Sequence, residues 1–368
     1  MSKYQSDSRI VLTLDAGGTN MVFGAMRGNE FVASPVTLPS NAHDLDLCLE
    51  TMVKGFKEIV AGCGSAPSAI SFAFPGPADY PHGIIGGFLP NFPSFRDGVA
   101  LGPFLESVFG IPVFINNDGD LFAYGEALGG MLPEINARLE NAGSAKRFKN
   151  LIGYTFGTGL GIGVVMDGRL NRGDNSCVET FCLPLADNRD VIVEDGASIR
   201  AVIRYYREFS GLDAYDVTPK DIFEIAEGLH EGDRAAAMMA FERFGTVAGD
   251  AIATAVTLTD GLVVLGGGLV AAAKYFMPSL LEEMRRRIYT LSGDELGRLQ
   301  SEVYNLDDPG QFDRFAAGDS RRLKVYGSDR YVVYDPMKRT GVAVSKLGAS
   351  KAISVGAYNF ALSQLDGE

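Results

Sequence analysis

Apolar residues along this chain fall into short runs that end abruptly in glycine or acid, and into longer stretches where they recur every three or four positions. Three of the short runs carry glycine clusters: "IVLTLDAGGTNMVFGAM" (10–26), "LIGYTFGTGLGIGVVMDGRL" (151–170) and "GLVVLGGGLVAAAKYFM" (261–277). The first two predict strand, small polar turn, strand, and the third predicts a strand entering a helix. Their shared layout is a weak internal repeat and predicts two related half-folds. Further strands are expected within "AISFAFPGPADY" (69–80) and at Val113, Phe114 and Ile115. Helical spacing marks 44–62, through Leu45, Leu49, Met52, Val53, Phe56, Ile59 and Val60, and also 100–109, 197–209, 218–229, 233–258 and roughly 349–363. The polar stretch 291–346 predicts a surface insertion, with candidate strands at 323–326 and 331–334. Strands alternating with helices in two halves predict α/β domains flanking a cleft.

Composition narrows this picture. A chain of 368 residues suits two domains, and 46% hydrophobic with 21% charged residues is the balance of a soluble globular protein. A formal charge of −13 argues against a nucleic-acid partner, because phosphate backbones want clustered Lys and Arg. No apolar run is long enough to span a bilayer, and the polar lead "MSKYQSDSRIVLTLD" has no apolar signal core, so no membrane partner is expected. Cys48, Cys63, Cys177 and Cys182 form no C-x-x-C pair, and with three scattered histidines they make no metal-ligand spacing. They read as reduced thiols of a cytoplasmic protein.

The chemistry concentrates where strands end. In "LDAGGTN" (14–20) the glycines allow close backbone approach to an anion, and Asp15 beside them is the hard oxygen ligand that Mg²⁺ prefers; a plain hairpin turn is the alternative. "FGTGLGIG" (156–163) fails the dinucleotide fingerprint, since Ile162 stands at its last glycine position and a strand follows, and no G-K-[ST] makes it a P-loop. It fits a second phosphate-facing turn or, again, a tight hairpin. "VVLGGGL" (263–269) lets a flat base or ribose lie against backbone, or lets strand and helix pack closely. "FINNDGDLFAYGE" (114–126) puts Asp118 where a strand passes into a helix. Asp118 is there either an N-cap, worth about 1 kcal/mol, or a base at the ligand-binding end of a sheet.

Taken in order, these segments resemble the ROK family of bacterial sugar kinases and related repressors, within the hexokinase/actin-like ATPase superfamily. The resemblance runs from Ile10 to about Ala361, apart from the insertion after Tyr289. "LDAGGTN" and "GTGLGIGVVMDGRLNRG" resemble the family's two phosphate motifs and "VVLGGGL" its adenosine motif. "FPGPADYPHGII" is similar to its G-P-V-D loop, "LPNFPSF" to its Asn-containing sugar loop, and "KLGASKAISVGAYNFAL" to its closing helix. The resemblance implies an α/β, two-domain actin-like ATPase (ribonuclease H-like) fold with a central cleft. Its domains would be 1–117, 118–348 and a closing helix 349–368 returning to the first. It implies Asp118 as catalytic base, with Gly76, Asn91, Asn117, Asp118 and Glu179 around the sugar. ATP would lie on Asp15, Gly17, Gly18, Thr19 and Asn20, on Gly157, Thr158 and Gly159, and on Gly266, Gly267 and Gly268. Asp15 would hold Mg²⁺, directly or through water, and the protein would be a homodimer.

Two positions depart from the family. The usual Cys-x-Cys-Gly-x-x-Gly-Cys cluster after Glu-x-Gly-His is absent: "ETFCLPLADNRDVIVEDGAS" (179–198) has Cys182 in place of the His, and no structural zinc is expected. Phe95 stands where a Trp is common. The expected activity is ATP-dependent phosphorylation of a hexose or N-acetylhexosamine, at the 6-hydroxyl. The alternative is a catalytically impaired sugar-binding or regulatory member without a DNA-binding domain, since only a short lead precedes Asp15.

Overall fold

The strand Val11–Ala16 buries its first four side chains and then exposes Asp15, so the chain leaves the core where its chemistry begins. In the computed structural model, residues 3–212 and 216–367 are described. The chain packs into two compact units: Met1–Pro133 with Ile162–Val178 and Lys346–Glu368, and Glu134–Gly161 with Glu179–Ser345. The division expected at 117/118 falls inside the first unit.

The first unit is built on a sheet in which Val11–Ala16, Ala69–Ala73 and Val113–Asn116 run parallel, with Asn20–Arg27 antiparallel to the first of them. The register sets Asp15 beside Ala73, and Ala73 beside Asn116. Three strands therefore finish on one line, and the segments beginning at Gly17, Phe74 and Asn117 emerge together at the carboxyl end, where open α/β sheets bind ligands. Helix Leu45–Gly62, capped by Asp44 accepting from the Leu47 N–H at 3.1 Å, buries Met52, Phe56 and Ile59 against this sheet's core. Helices Asp118–Leu128 and Ala349–Leu365 cross so closely that a Cβ on Gly125 would lie 1.9 Å from the Ala352 carbonyl oxygen. That contact needs the whole of 118–128 beside 349–365, which is why the first unit keeps both.

In the second unit Leu151–Phe156, Leu262–Gly266, Arg339–Val344 and Glu302–Asn305 form parallel neighbours in that order. The last two strands correct the reading of 291–346 as a surface insertion. Val303, Tyr304, Val342 and Ala343 are buried, and helix Pro309–Ala317 packs Phe312 and Phe315 inward. Only the hairpin Arg321–Lys324 with Tyr331–Tyr334 is exposed along both strands. The buried strand 339–344 begins with polar side chains that are paired instead of solvated: Arg339 with Asp335 at 2.7 Å, and Thr340 donating to the Gly261 carbonyl at 2.7 Å. Such pairing hides a core strand from a hydrophobicity pattern. Among the described residues no helix is long and apolar enough to cross a membrane.

Candidate active site

Within the first unit the carboxyl end of the sheet gathers Asp15, Gly17, Gly18, Thr19, Asn20, Gly76, Asn91, Asn117 and Asp118. The first glycine turn is closed by the Gly17 N–H donating to the Asn20 carbonyl at 3.0 Å, and the Thr19 carbonyl accepts from Ser40 N–H at 2.9 Å. The Ser40 hydroxyl donates to the Gly17 carbonyl. A Cβ on Gly18 would stand 3.1 Å from Cβ of Asn91, so the "LPNFPSF" loop touches the turn that glycine makes possible. Asn91 is exposed, yet the loop behind it is anchored: Phe92 and Phe95 are fully buried, their ring centroids 4.6 and 5.1 Å from that of Phe74. Phe95 thus fills a closed aromatic slot between Phe74 and Phe92. Gly76 lies beside Tyr80, whose hydroxyl donates to the Phe74 carbonyl at 2.9 Å; a Cβ on Gly76 would crowd that hydroxyl at 2.9 Å.

Asn117 is the N-cap of helix Asp118–Leu128, its Oδ1 accepting from the Gly119 N–H at 2.7 Å. Asp118 Oδ1 also accepts from that N–H, at 2.8 Å. Asn117 thus holds the N-cap position, and Asp118, at the first helical position, shares the Gly119 N–H with it. Asp118 keeps solvent-accessible surface while protein crowds it closely, and this desolvation raises its pKa. The backbone N–H groups of Gly119 and of Asp118 itself pull it down, and the charge of Asp15 adds to the rise. Crowding by protein likewise raises the pKa of Asp15, exposed though its surface is. Two carboxylates at the same end of one sheet, at and just past the ends of the strands on either side of Ala69–Ala73, are suited to a cation and a proton. Asp15 is a single carboxylate that could hold a phosphate-bound Mg²⁺.

The sequence offers Asp120 only as another possible helix cap, and gives Asn116 and Arg172 no role. Arg172 donates to Asn116 Oδ1 at 2.9 Å and lies over the Phe360 ring, 5.2 Å from its centroid. Asp120 is buried and faces the Arg172 charge; burial outweighs that attraction and pushes its pKa up to about 7. Burial lowers the pKa of Arg172 in turn. No local pattern connects positions 116, 120 and 172, so only the fold could reveal them. Asp120 binds its proton more tightly folded than unfolded, where its pKa is about 4. The folded state therefore holds the extra proton between about pH 4 and 7, and this group's contribution to stability falls as pH rises through that window. Thermal unfolding of Asp120→Asn is expected to show a shallower loss of stability from pH 5 to pH 8 than the parent. Equal slopes would mean Asp120 does not titrate there.

The second unit holds the remaining candidates. Thr155 pairs with Gly266 in the parallel register, so the Gly157–Gly159 and Gly266–Gly268 turns start at the same sheet end. The Gly157 N–H donates to the Gly159 carbonyl at 3.1 Å, and the Gly157 carbonyl accepts from Ile199 N–H at 2.9 Å. A Cβ on Gly267 would lie 2.3 Å from the Phe156 carbonyl oxygen, so close backbone approach decides that glycine, whose φ is +89°. Glu194, also missed in the sequence, braces the first turn by accepting from Leu160 N–H at 3.0 Å. Glu179 is half-buried and its charge acts on Tyr154, whose hydroxyl accepts from Thr180 Oγ1 at 3.2 Å. Behind it the loop 180–194 is tied by its own backbone: Val193 N–H to Leu183 carbonyl at 2.6 Å and Leu185 N–H to Val191 carbonyl at 2.9 Å. This ladder occupies the stretch that carries the cysteine cluster in the family pattern. No group of three or more His, Cys, Asp or Glu comes together as a metal cage among the described residues.

Residues 11–296 match the model of the ROK family. The chain belongs to the ROK family. A glucokinase structure from Parabacteroides distasonis is 58% identical, with a TM-score of 0.90 over 98% of this chain and 99% of that one. An N-acetyl-D-glucosamine kinase of Yersinia enterocolitica is 27% identical across 69% of this chain and 82% of its own length. A ROK family glucokinase from Streptomyces griseus, solved with glucose and AMPPNP, is 18% identical and shares the fold, with a TM-score of 0.60 over 95% of this chain and 98% of that one. The fold of this ROK protein is that of the actin-like ATPases, an α/β architecture.

Proposed function

We propose that this ROK protein is an ATP-dependent sugar kinase that phosphorylates a hexose or N-acetylhexosamine at its 6-hydroxyl, with glucose the leading substrate. The observation that carries the reading is Asp118: an exposed carboxylate of raised pKa, one residue past the Asn117 N-cap, at the sheet end that also presents Asp15 and Asn91. The name of the 58% identical relative supports glucose. Asn91, Asn117 and Glu179 would accept and donate hydrogen bonds to sugar hydroxyls, with Gly76 bordering them. Asp118 would take the proton of the attacking hydroxyl as its oxygen bonds to the γ-phosphorus and the bond to the β-phosphate oxygen breaks, releasing ADP. A raised pKa suits a base that works near neutrality. The amides of Gly17, Gly18, Thr19 and Asn20, and those of Gly157, Thr158 and Gly159, would stabilise charge on the phosphates. Gly266, Gly267 and Gly268 would lie against the adenosine. Asp15 would hold Mg²⁺, directly or through water, and the bound ion supplies neutralisation of phosphate charge.

The test is sugar-dependent ADP release from Mg·ATP across a panel of glucose, N-acetylglucosamine, mannose, N-acetylmannosamine and fructose. Turnover is expected with glucose above the others. Sugar binding without turnover for every member would overturn the kinase reading and favour a sugar-binding protein.

A further inference from the structure

In the second unit, the end of helix Ala273–Met284, the strand Glu302–Asn305 and the helix Pro309–Ala317 border a concavity of about 1460 Å³. None of its lining residues is a candidate active-site residue. Its charged lining is Arg285, Arg287, Arg298, Arg314 and Lys338 against only Asp260 and Glu302, five cations to two carboxylates, on a chain of formal charge −13. Such a local inversion of sign focuses an attractive field for anions.

Only part of that positive charge is answered within the protein. Arg287 pairs with Glu295 at 3.2 Å, and Arg298 with Asp250 at 3.3 Å. Arg285 instead donates to neutral acceptors, the Val303 carbonyl at 2.9 and 2.7 Å and Gln311 Oε1 at 2.8 Å. These bonds fix its guanidinium plane without discharging it. The Arg314 and Lys338 side chains make no hydrogen bond or ion pair among the described residues. Burial, and after it the nearby charge of Arg314, lower the pKa of Arg285, while the charge of Tyr304 opposes them. A surface that merely needed solubility would place these cations beside the chain's many carboxylates.

We infer that this concavity binds a small phosphoryl-bearing anion through Arg285, Arg314 and Lys338. The Arg314 guanidinium can match phosphate oxygens in a two-pronged hydrogen bond, Arg285 keeps its Nη1 for a further contact, and Lys338 adds a mobile point charge. Fixing Arg285 on carbonyl and amide oxygens beforehand lowers the ordering cost of binding. A concave surface open to solvent gives a small ligand access to all three cations.

Isothermal titration calorimetry of the full chain tests this, using inorganic phosphate, pyrophosphate and glucose 6-phosphate as probes. The parent is compared with the double variant Arg314→Gln, Lys338→Gln, both exposed positions, with thermal unfolding and circular dichroism confirming its fold. The glycine turns of the candidate active site also take phosphates, so the parent is expected to show two classes of sites for the best probe. One class should weaken tenfold or more in the variant and the other should persist. A tighter response to glucose 6-phosphate than to inorganic phosphate would identify an esterified sugar as the source, and a tighter response to pyrophosphate a diphosphate. Identical isotherms for parent and variant, or a single class in the parent up to millimolar probe, would overturn the inference. So would a change of oligomeric state in the variant by sedimentation without any change in the isotherms, which would make the concavity a contact between copies. Failure here leaves the sugar-kinase reading untouched, because that reading is tested by turnover on the sugar panel.

Discussion

Asp118→Asn is expected to lower sugar-dependent ADP release by about 10²–10⁴-fold, the usual worth of a positioned general base, while sugar affinity stays within a few-fold. The Asn side chain keeps the shape of Asp and an oxygen to accept the Gly119 N–H, and Asn117 still caps the helix at 2.7 Å. What it loses is the ability to take a proton. Stability should move the other way. Asp118 is exposed at its surface yet closely crowded by protein, and that crowding raises its folded-state pKa, so above that pKa the charged form carries a penalty, softened by its access to water, that is relieved as pH falls through it. A neutral amide escapes this cost, so the variant should unfold at the same temperature as the parent or higher at pH 8. Initial-rate assays, sugar titration by calorimetry and thermal melts together separate the roles. Loss of activity together with lower melting and lost sugar binding would assign Asp118 a structural role and remove the base from the mechanism.

Much of the fold can be read along the chain because its strands and helices bury one face each. Helix Leu45–Gly62 and helix Arg234–Thr259 lie within a residue or two of the spans expected from apolar spacing. Helix Met131–Asn141 lies outside the expected helices, yet Met131, Leu132, Ile135 and Leu139 carry a helical period and are buried. The harder case is Arg339–Val344. Its side-chain chemistry is polar at the start, and its burial depends on Asp335 and on the Gly261 carbonyl, partners that a window of neighbouring residues cannot supply. The strand Glu302–Asn305 is short and hidden among Asp, Gly and Pro for the same reason.

The candidate site divides along the same line. Asp15, Asp118 and the glycine turns announce themselves because strand ends, acids and glycines are adjacent in sequence. Asp120 and Arg172, by contrast, acquire meaning only from burial and from each other, and Glu194 only from the turn it braces. Burial of a charge is a property of the assembled fold, so a sequence shows where a carboxylate is but not how strongly it holds its proton.

Gly356→Ala should be among the most damaging single changes in the molecule, although residue 356 is none of the candidate site residues. A Cβ there would stand 1.9 Å from the Leu121 carbonyl oxygen and 3.0 Å from the Gly125 N, and the reciprocal Gly125→Ala would meet the Ala352 carbonyl oxygen at 1.9 Å. Every clashing atom is backbone, so no rotamer change relieves it and the helices themselves must separate. Overpacking ordinarily costs about 1–3 kcal/mol; with rigid helices on both sides, about 3 kcal/mol or more is expected. The sign is informative, because alanine in an open helix position stabilises by about 1 kcal/mol over glycine. Gly62→Ala is the control: its nearest neighbour would be the Ala33 Cβ at 3.8 Å, an ordinary contact, so it should melt at or slightly above the parent. Thermal unfolding of the three variants gives the comparison. Because Leu121 and Gly125 lie on the helix that begins at Asp118, whatever folded Gly356→Ala protein can be purified should also lose turnover number more than sugar affinity. A variant that melts with the parent would show that this crossing yields easily, and that the position of Asp118 does not depend on it.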